Sequence, residues 1–322
     1  MLEMKSETVG RMLSFATTIL LALAAFSALS LLDASPARAD RCSEDASGNM
    51  TCSHQYRVNW YSCNGIPFGR GVRWQVPEGT PPSGGWPVVF LYNGTTPADL
   101  DPFAPSAAER LIAGPFGIEW APEIIHELLD DPSGSGRRYA VIAPEPPQSA
   151  IAIEFWNTNV VFPYSISCDY DFFPDLFSEI KGGQYGPASR YDMNRRYAFG
   201  ISSGGYNTSR MAVTFNQKKE WFQSCSGWCN ENTWKALAII AASYATCTGP
   251  LCVVPNLPAN HPPTRFWHGT SDLIVPLWTA DDYYDELIED GVDTGFVVHG
   301  GGHELNGTMV GATGIKAWFD AH

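Results

Sequence analysis

Ser202, Asp272 and His303 are the residues whose types and order best fit nucleophilic chemistry in this chain. Neutral serine attacks acyl carbons poorly. A histidine that takes its proton, held in one tautomer by a carboxylate, makes it effective. Ser202 lies in Gly200-Ile201-Ser202-Ser203-Gly204, after the strand-like run Arg196 to Phe199 and before the helix-like run Gly205 to Phe215. That setting fits a sharp strand-to-helix turn that lifts a serine hydroxyl above a sheet, with glycines where a Cβ would clash. The pentapeptide alone is a weak signal in a chain rich in Gly and Ser, and the bland reading is a structural serine in a turn. The flanking elements and the order Ser, Asp, His favour the catalytic reading.

Asp272 follows the run Trp267-His268-Gly269-Thr270-Ser271, where a strand ends in a loop. Its competing reading is an ordinary turn or helix-cap aspartate. His303 follows Phe296 to His299 and three glycines, a loop flexible enough to bring an imidazole over the serine. His299 is its nearest rival. His268 reads as a strand-end residue that supports the Asp272 loop, and His54, His126, His261 and His322 read as surface residues. A tetrahedral intermediate also needs backbone donors. The N–H of Ser203 is one expectation, and the N–H of Thr95, in the loop Asn93-Gly94-Thr95-Thr96, is the other.

Residues 1–39 read as an export signal. Lys5 and Arg11 precede an apolar run, and Ala37-Arg38-Ala39 is a small-residue cleavage site before Asp40. The rival is a membrane anchor, and no later run is long and apolar enough to span a bilayer. The leader carries Lys5, Arg11 and Arg38 against Glu3, Glu7 and Asp33, so residues 40–322 keep the net charge of -14. Such a chain repels nucleic acid and anionic membranes. A hydrophobic fraction of 44% is ample for one large core. All eight cysteines lie beyond the leader, and an even count in an exported chain suggests disulfides. Cys247 and Cys252 suit one short loop, and the Cys-containing segment 40–70 needs stapling. Cys225-x3-Cys229 lacks the neighbouring histidines of a metal site. Four glycosylation sequons, at Asn49, Asn93, Asn207 and Asn306, read as chance matches in a bacterial protein.

Between Pro/Gly clusters lie strand-like runs at 71–76, 87–92, 139–143, 196–199, 236–242, 265–268 and 296–299. Helix-like runs at 119–129, 172–180, 205–215, 281–290 and 308–319 alternate with them. This alternation predicts an α/β domain, with a mostly parallel central sheet and helices on both faces.

With these residues in place, the chain from about Val72 to its C-terminus resembles the α/β-hydrolase superfamily. Within it, Tyr191 to Tyr197, the Gly-Ile-Ser-Ser-Gly box with Gly205-Tyr206-Asn207, and His268 to Asp272 with Val275-Pro276 are similar to extracellular medium-chain-length polyhydroxyalkanoate depolymerases. Tyr92-Asn93-Gly94 stands where many relatives carry His-Gly. The resemblance implies a secreted, single-domain carboxylic ester hydrolase that cleaves a water-insoluble polyester of 3-hydroxy acids and needs no metal or organic cofactor. An apolar platform near Ser202 is then expected, with Trp156, Tyr206 and Trp228 as its principal candidates and Phe155, Phe162 and Trp278 as further ones, although an aromatic cluster is more often core than platform. The alternative is a secreted esterase of the feruloyl or acetylxylan type, with the same triad and a more polar pocket. A non-enzymatic binding protein on this fold is disfavoured by the presence of all three triad residue types in order.

Overall fold

The computed structural model describes residues 40–96, 100–147, 153–159, 163–216, 232–247 and 251–322. Strands β1 (Cys42–Glu44) and β2 (Met50–Cys52) form a small antiparallel hairpin. The main sheet holds β3 (Gln55–Cys63), β4 (Ile66–Gln75), β5 (Trp86–Tyr92), β6 (Ala140–Pro144), β7 (Tyr191–Ile201), β8 (Trp234–Ile240), β9 (Thr264–Gly269) and β10 (Thr294–His299). Their order is β10-β9-β8-β7-β5-β6-β4-β3. Every pairing from β10 to β6 is parallel, while β4 runs antiparallel to both β3 and β6.

Among the described residues, six helices accompany the sheet: α1 (Ala107–Ala113), α2 (Trp120–Asp130), α3 (Cys168–Lys181), α4 (Ser203–Val213), α5 (Leu277–Glu289) and α6 (Ile315–Asp320). The sheet buries both faces, which is why β5 and β6 read as continuous apolar runs. Val89 and Leu91 of β5 point to one side, where Ile124 and Leu128 of α2 and Phe319 of α6 pack. Val88, Phe90 and Tyr92 point to the other, against Phe172, Phe173, Leu176 and Phe177 of α3. Each such fully buried side chain is worth about 1.5–3 kcal/mol relative to exposure.

Two differences from the sequence expectation have local causes. The run 308–319 holds two 3-10 turns, and only its second half is helical. A Cβ on Gly314 would stand 2.4 Å from the Met309 carbonyl oxygen, so the chain bends tightly there before α6 begins. Helix α1 was not anticipated, although Ser106 and Glu109 make a reciprocal capping box that its Ser-x-x-Glu spacing encodes.

The N-terminal segment is stapled as expected. Cys42–Cys52 closes the first hairpin, Cys63–Cys168 ties β3 to α3, and Cys247–Cys252 closes a short loop. Cys225 and Cys229 lie outside the described residues. A buried ion pair reinforces the second staple: Arg70 of β4 reaches Asp169 of α3 at 2.7 Å and lies over the Phe172 ring. No helix among the described residues is long and apolar enough to cross a membrane.

Candidate active site

The carboxyl ends of β5, β7, β9 and β10 converge on one region, where open α/β sheets place their ligands. Ser202 sits between β7 and α4 with φ 57° and ψ -124°. A non-glycine residue rarely adopts this left-handed φ, and such strain concentrates where a side chain must be aimed. Two glycines permit the turn. A Cβ on Gly204 would stand 2.0 Å from the Tyr92 carbonyl oxygen, and one on Gly200 would stand 2.4 Å from the Gly204 carbonyl oxygen. The Ser202 N–H donates to the Ile240 carbonyl of β8 at 2.9 Å, which pins the elbow to the sheet.

Asp272 and His303 are paired. Nδ1 of His303 lies 2.8 Å from Oδ2 of Asp272. The other carboxylate oxygen accepts the N–H groups of Ile274 at 2.8 Å and Val275 at 2.9 Å. His268 completes the shell. Its Nε2 lies 3.0 Å from the Val275 carbonyl and 3.2 Å from Asp272 Oδ2. A carbonyl only accepts, so Nε2 carries the proton and donates to both. Burial opposes ionisation of Asp272, but donation from His268, His303 and the Val275 N–H outweighs it and holds the carboxyl well below the usual range. The acid and histidine loops are locked together: Thr270 N–H donates to His299 O at 2.8 Å and Ser271 N–H to Gly301 O at 3.0 Å. His299 stays in its own loop, where its Nδ1 accepts from Gly301 N–H.

Ser202 and His303 both line a cavity of about 310 Å³. Its polar side is Asn93, Gly94, Thr95 and Thr96. Its apolar side includes Leu100, Ala113, Phe116, Ile118, Ile274 and Leu305. The Phe116 ring meets the His303 ring edge-on, with centroids 6.2 Å apart. These apolar residues were absent from the sequence expectation, and the capping box that starts α1 was the available signal for part of them.

The candidate oxyanion donors stand beside Ser202. Ser203 opens α4, where N–H groups lack carbonyl partners within the helix. Thr95 is exposed to the cavity. The next residue, Thr96, exchanges backbone hydrogen bonds with Glu154 at 3.0 and 2.8 Å, which fixes the loop.

Two of the expected platform aromatics turn out to be buried. Trp156 is fully buried. Its backbone N–H donates to Ser203 Oγ and its indole to the Asn93 carbonyl, both at 2.9 Å, so it braces the site from behind and does not face substrate. Tyr206 is also buried, packed in the core with Ile239, Ala242 and Tyr244. One helical turn after Ser202 the side chain points back into the domain. Trp228 and Phe162 lie outside the described residues. Phe155 lines a separate cavity with Tyr56 and Phe68, and Trp278 is partly exposed at the start of α5. His261, expected at the surface, is buried, with its ring 2.6 Å from the Tyr283 hydroxyl. Asn207, in one of the sequons, is fully buried.

The sheet order, the antiparallel β4 and the serine elbow after β7 define an α/β-hydrolase. No protein-family model matches the chain. Solved structures similar to it include the Bacillus cereus carboxylesterase (14% identity, TM-score 0.48, covering 78% of this chain and 94% of that one). Another is the butyrate-bound esterase Est2 of the Planctomycetes species Thermogutta terrifontis (14% identity, TM-score 0.49, covering 82% and 91%). Among curated proteins, a Pseudomonas fluorescens poly(3-hydroxyoctanoate) depolymerase is 42% identical over 294 residues, covering 88% of this chain and 92% of the relative. The chain belongs to the family of that depolymerase and is a carboxylic ester hydrolase.

Proposed function

We propose that the chain is an exported poly(3-hydroxyalkanoate) depolymerase that works through an acyl-enzyme on Ser202. His303 takes the Ser202 hydroxyl proton as the oxygen attacks the ester carbonyl. It returns that proton to the departing alkoxide when the tetrahedral intermediate collapses. Water, deprotonated by the same imidazole, then releases the acid and restores the serine. Asp272 holds Nδ1 of His303 protonated so that Nε2 is the basic nitrogen. The N–H groups of Ser203 and Thr95 stabilise the oxyanion, each worth about 3 kcal/mol of barrier.

The observation that carries this reading is an apolar cavity at Ser202 in a chain 42% identical to a poly(3-hydroxyoctanoate) depolymerase. Leu100, Phe116, Ile118 and Leu305 offer an alkyl side chain burial and offer little to the hydroxyls of a plant-wall sugar. Residues 1–39 act as the export signal and residues 40–322 as a single catalytic domain. The three disulfides among the described residues support an oxidising destination outside the cytoplasm.

The test compares release of 3-hydroxy acids from poly(3-hydroxyoctanoate), poly(3-hydroxybutyrate) and an acetylated xylan by purified 40–322. The proposal expects the octanoate polymer to be degraded fastest. Preference for acetylxylan would move the substrate to plant-wall esters.

A further inference from the structure

Two stretches without charge border the cavity at Ser202. Leu111 to Ile118 covers the end of α1 and the turn after it, and Leu273 to Trp278 covers the acid loop and the start of α5. The chain carries a net charge of -14, and neither strip at the mouth of the site contributes to it. Each strip gives side chains to the cavity, Ala113 and Phe116 from the first and Ile274 from the second. Each also turns apolar side chains outward. Leu111 is 82% exposed on one side, and Leu273 is 96% exposed on the other. Ile112 and Trp278 are partly exposed beside them. Single exposed leucines need no explanation, but apolar side chains gathered around an opening mark a contact surface.

Resting on the polyester reading above, we infer that these two lips form the surface by which the enzyme adsorbs to solid polyester. Their partner is the layer of alkyl side chains at the polymer surface. An ester bond must reach Ser202 through this opening, so a surface that seats a solid substrate productively is continuous with it, as the lips are. Alkyl groups return nothing for desolvating a charge, so an uncharged strip is the part of this acidic protein suited to meet them. Exposed Trp60 on β3 and Phe68 on β4 lie on opposite faces of that strand pair, and they contribute nothing to the Ser202 cavity. Polymer held there would not by that contact present an ester to the nucleophile.

The experiment uses residues 40–322 with two double substitutions, Leu111→Gln with Leu273→Gln and Trp60→Gln with Phe68→Gln. None of these four residues lines the Ser202 cavity. Adsorption to a poly(3-hydroxyoctanoate) film is measured on a Ser202→Ala background, so the film is not consumed. Hydrolysis of soluble p-nitrophenyl butyrate is measured with Ser202 intact. The lip variant is expected to adsorb roughly tenfold more weakly, or worse, from the loss of two apolar contacts. Its kcat/KM on the soluble ester is expected to stay within about twofold of the parent. Unchanged adsorption of the lip variant, loss confined to the Trp60/Phe68 variant, or an equal fall on the soluble ester would each overturn the proposal. A parent that adsorbs through its lips yet cleaves neither ester would support the surface while removing the depolymerase reading.

Discussion

The indole of Trp156 donates to the carbonyl of Asn93 at 2.9 Å, and the same residue's backbone N–H donates to Ser203 Oγ at the same distance. One buried residue, through its backbone and its ring, therefore spans the two segments that carry the candidate oxyanion donors. Trp156→Phe keeps the backbone bond and most of the ring volume but leaves the Asn93 carbonyl without its donor. Such a buried unpaired acceptor typically costs about 1–3 kcal/mol. The variant is expected to melt at lower temperature and to lose kcat more than KM, because the Asn93 to Thr95 loop keeps its Thr96 anchor but loses the one at Asn93. Calorimetry with soluble-ester kinetics checks both, and an unchanged kcat would remove the bracing role.

Asp272→Asn is expected to lower kcat by roughly 10⁴-fold, because the amide no longer enforces the productive His303 tautomer. Folding should survive, since Asn retains an oxygen for the Ile274 and Val275 N–H groups. Steady-state kinetics on p-nitrophenyl butyrate with a circular dichroism control measures this. A loss of only a few fold would place the acid elsewhere.

The serine elbow and the order of its partners were legible because steric and tautomeric demands act over a few residues. Gly200 and Gly204 are glycines because a carbonyl oxygen stands where a Cβ would be. The central strands were legible because a sheet buried on both faces imposes unbroken apolar runs. Strand β3 was missed because its pattern is mixed: apolar Val58 and Trp60 face outward, and polar Asn59 is buried beside Tyr61 and Cys63. Trp156 and Tyr206 were assigned to substrate because composition places aromatic rings near a site but does not say which way they face. The apolar cavity wall comes from α1, the acid loop and the segment after His303, which meet only in the folded chain.

Reduction is expected to destabilise the protein, and Cys63–Cys168 should matter most. It closes a loop across a sequence separation of 105, against 10 and 5 for the other two. Disulfides typically contribute about 2–4 kcal/mol, more for longer loops. Melting curves of Cys63→Ser with Cys168→Ser, Cys42→Ser with Cys52→Ser, and Cys247→Ser with Cys252→Ser rank the three. A larger drop for the Cys247 pair would contradict the loop-length argument.

Stability should fall as the pH drops from about 6.5 to about 4 in part because of His261. Burial lowers its pKa from 6.5 to about 4. A histidine with a depressed folded-state pKa is stabilising above its unfolded value and loses that contribution as protons bind the unfolded chain first. The neutral ring accepts from Tyr283 and donates through Nδ1 to the Pro262 carbonyl. His261→Gln should therefore show a shallower decline of melting temperature over this window. An identical slope in both proteins would remove His261 as a cause.

The central claim is that polyester is cleaved through Ser202 as nucleophile. The most direct measurement treats residues 40–322 with an organophosphonate, maps the modified peptide by mass spectrometry and follows clearing of a poly(3-hydroxyoctanoate) latex by the same samples. The account predicts one adduct per chain, on Ser202, with clearing lost in step with labelling and absent in Ser202→Ala. An adduct on Ser203 or another residue, or clearing that persists in the fully labelled protein, would contradict it.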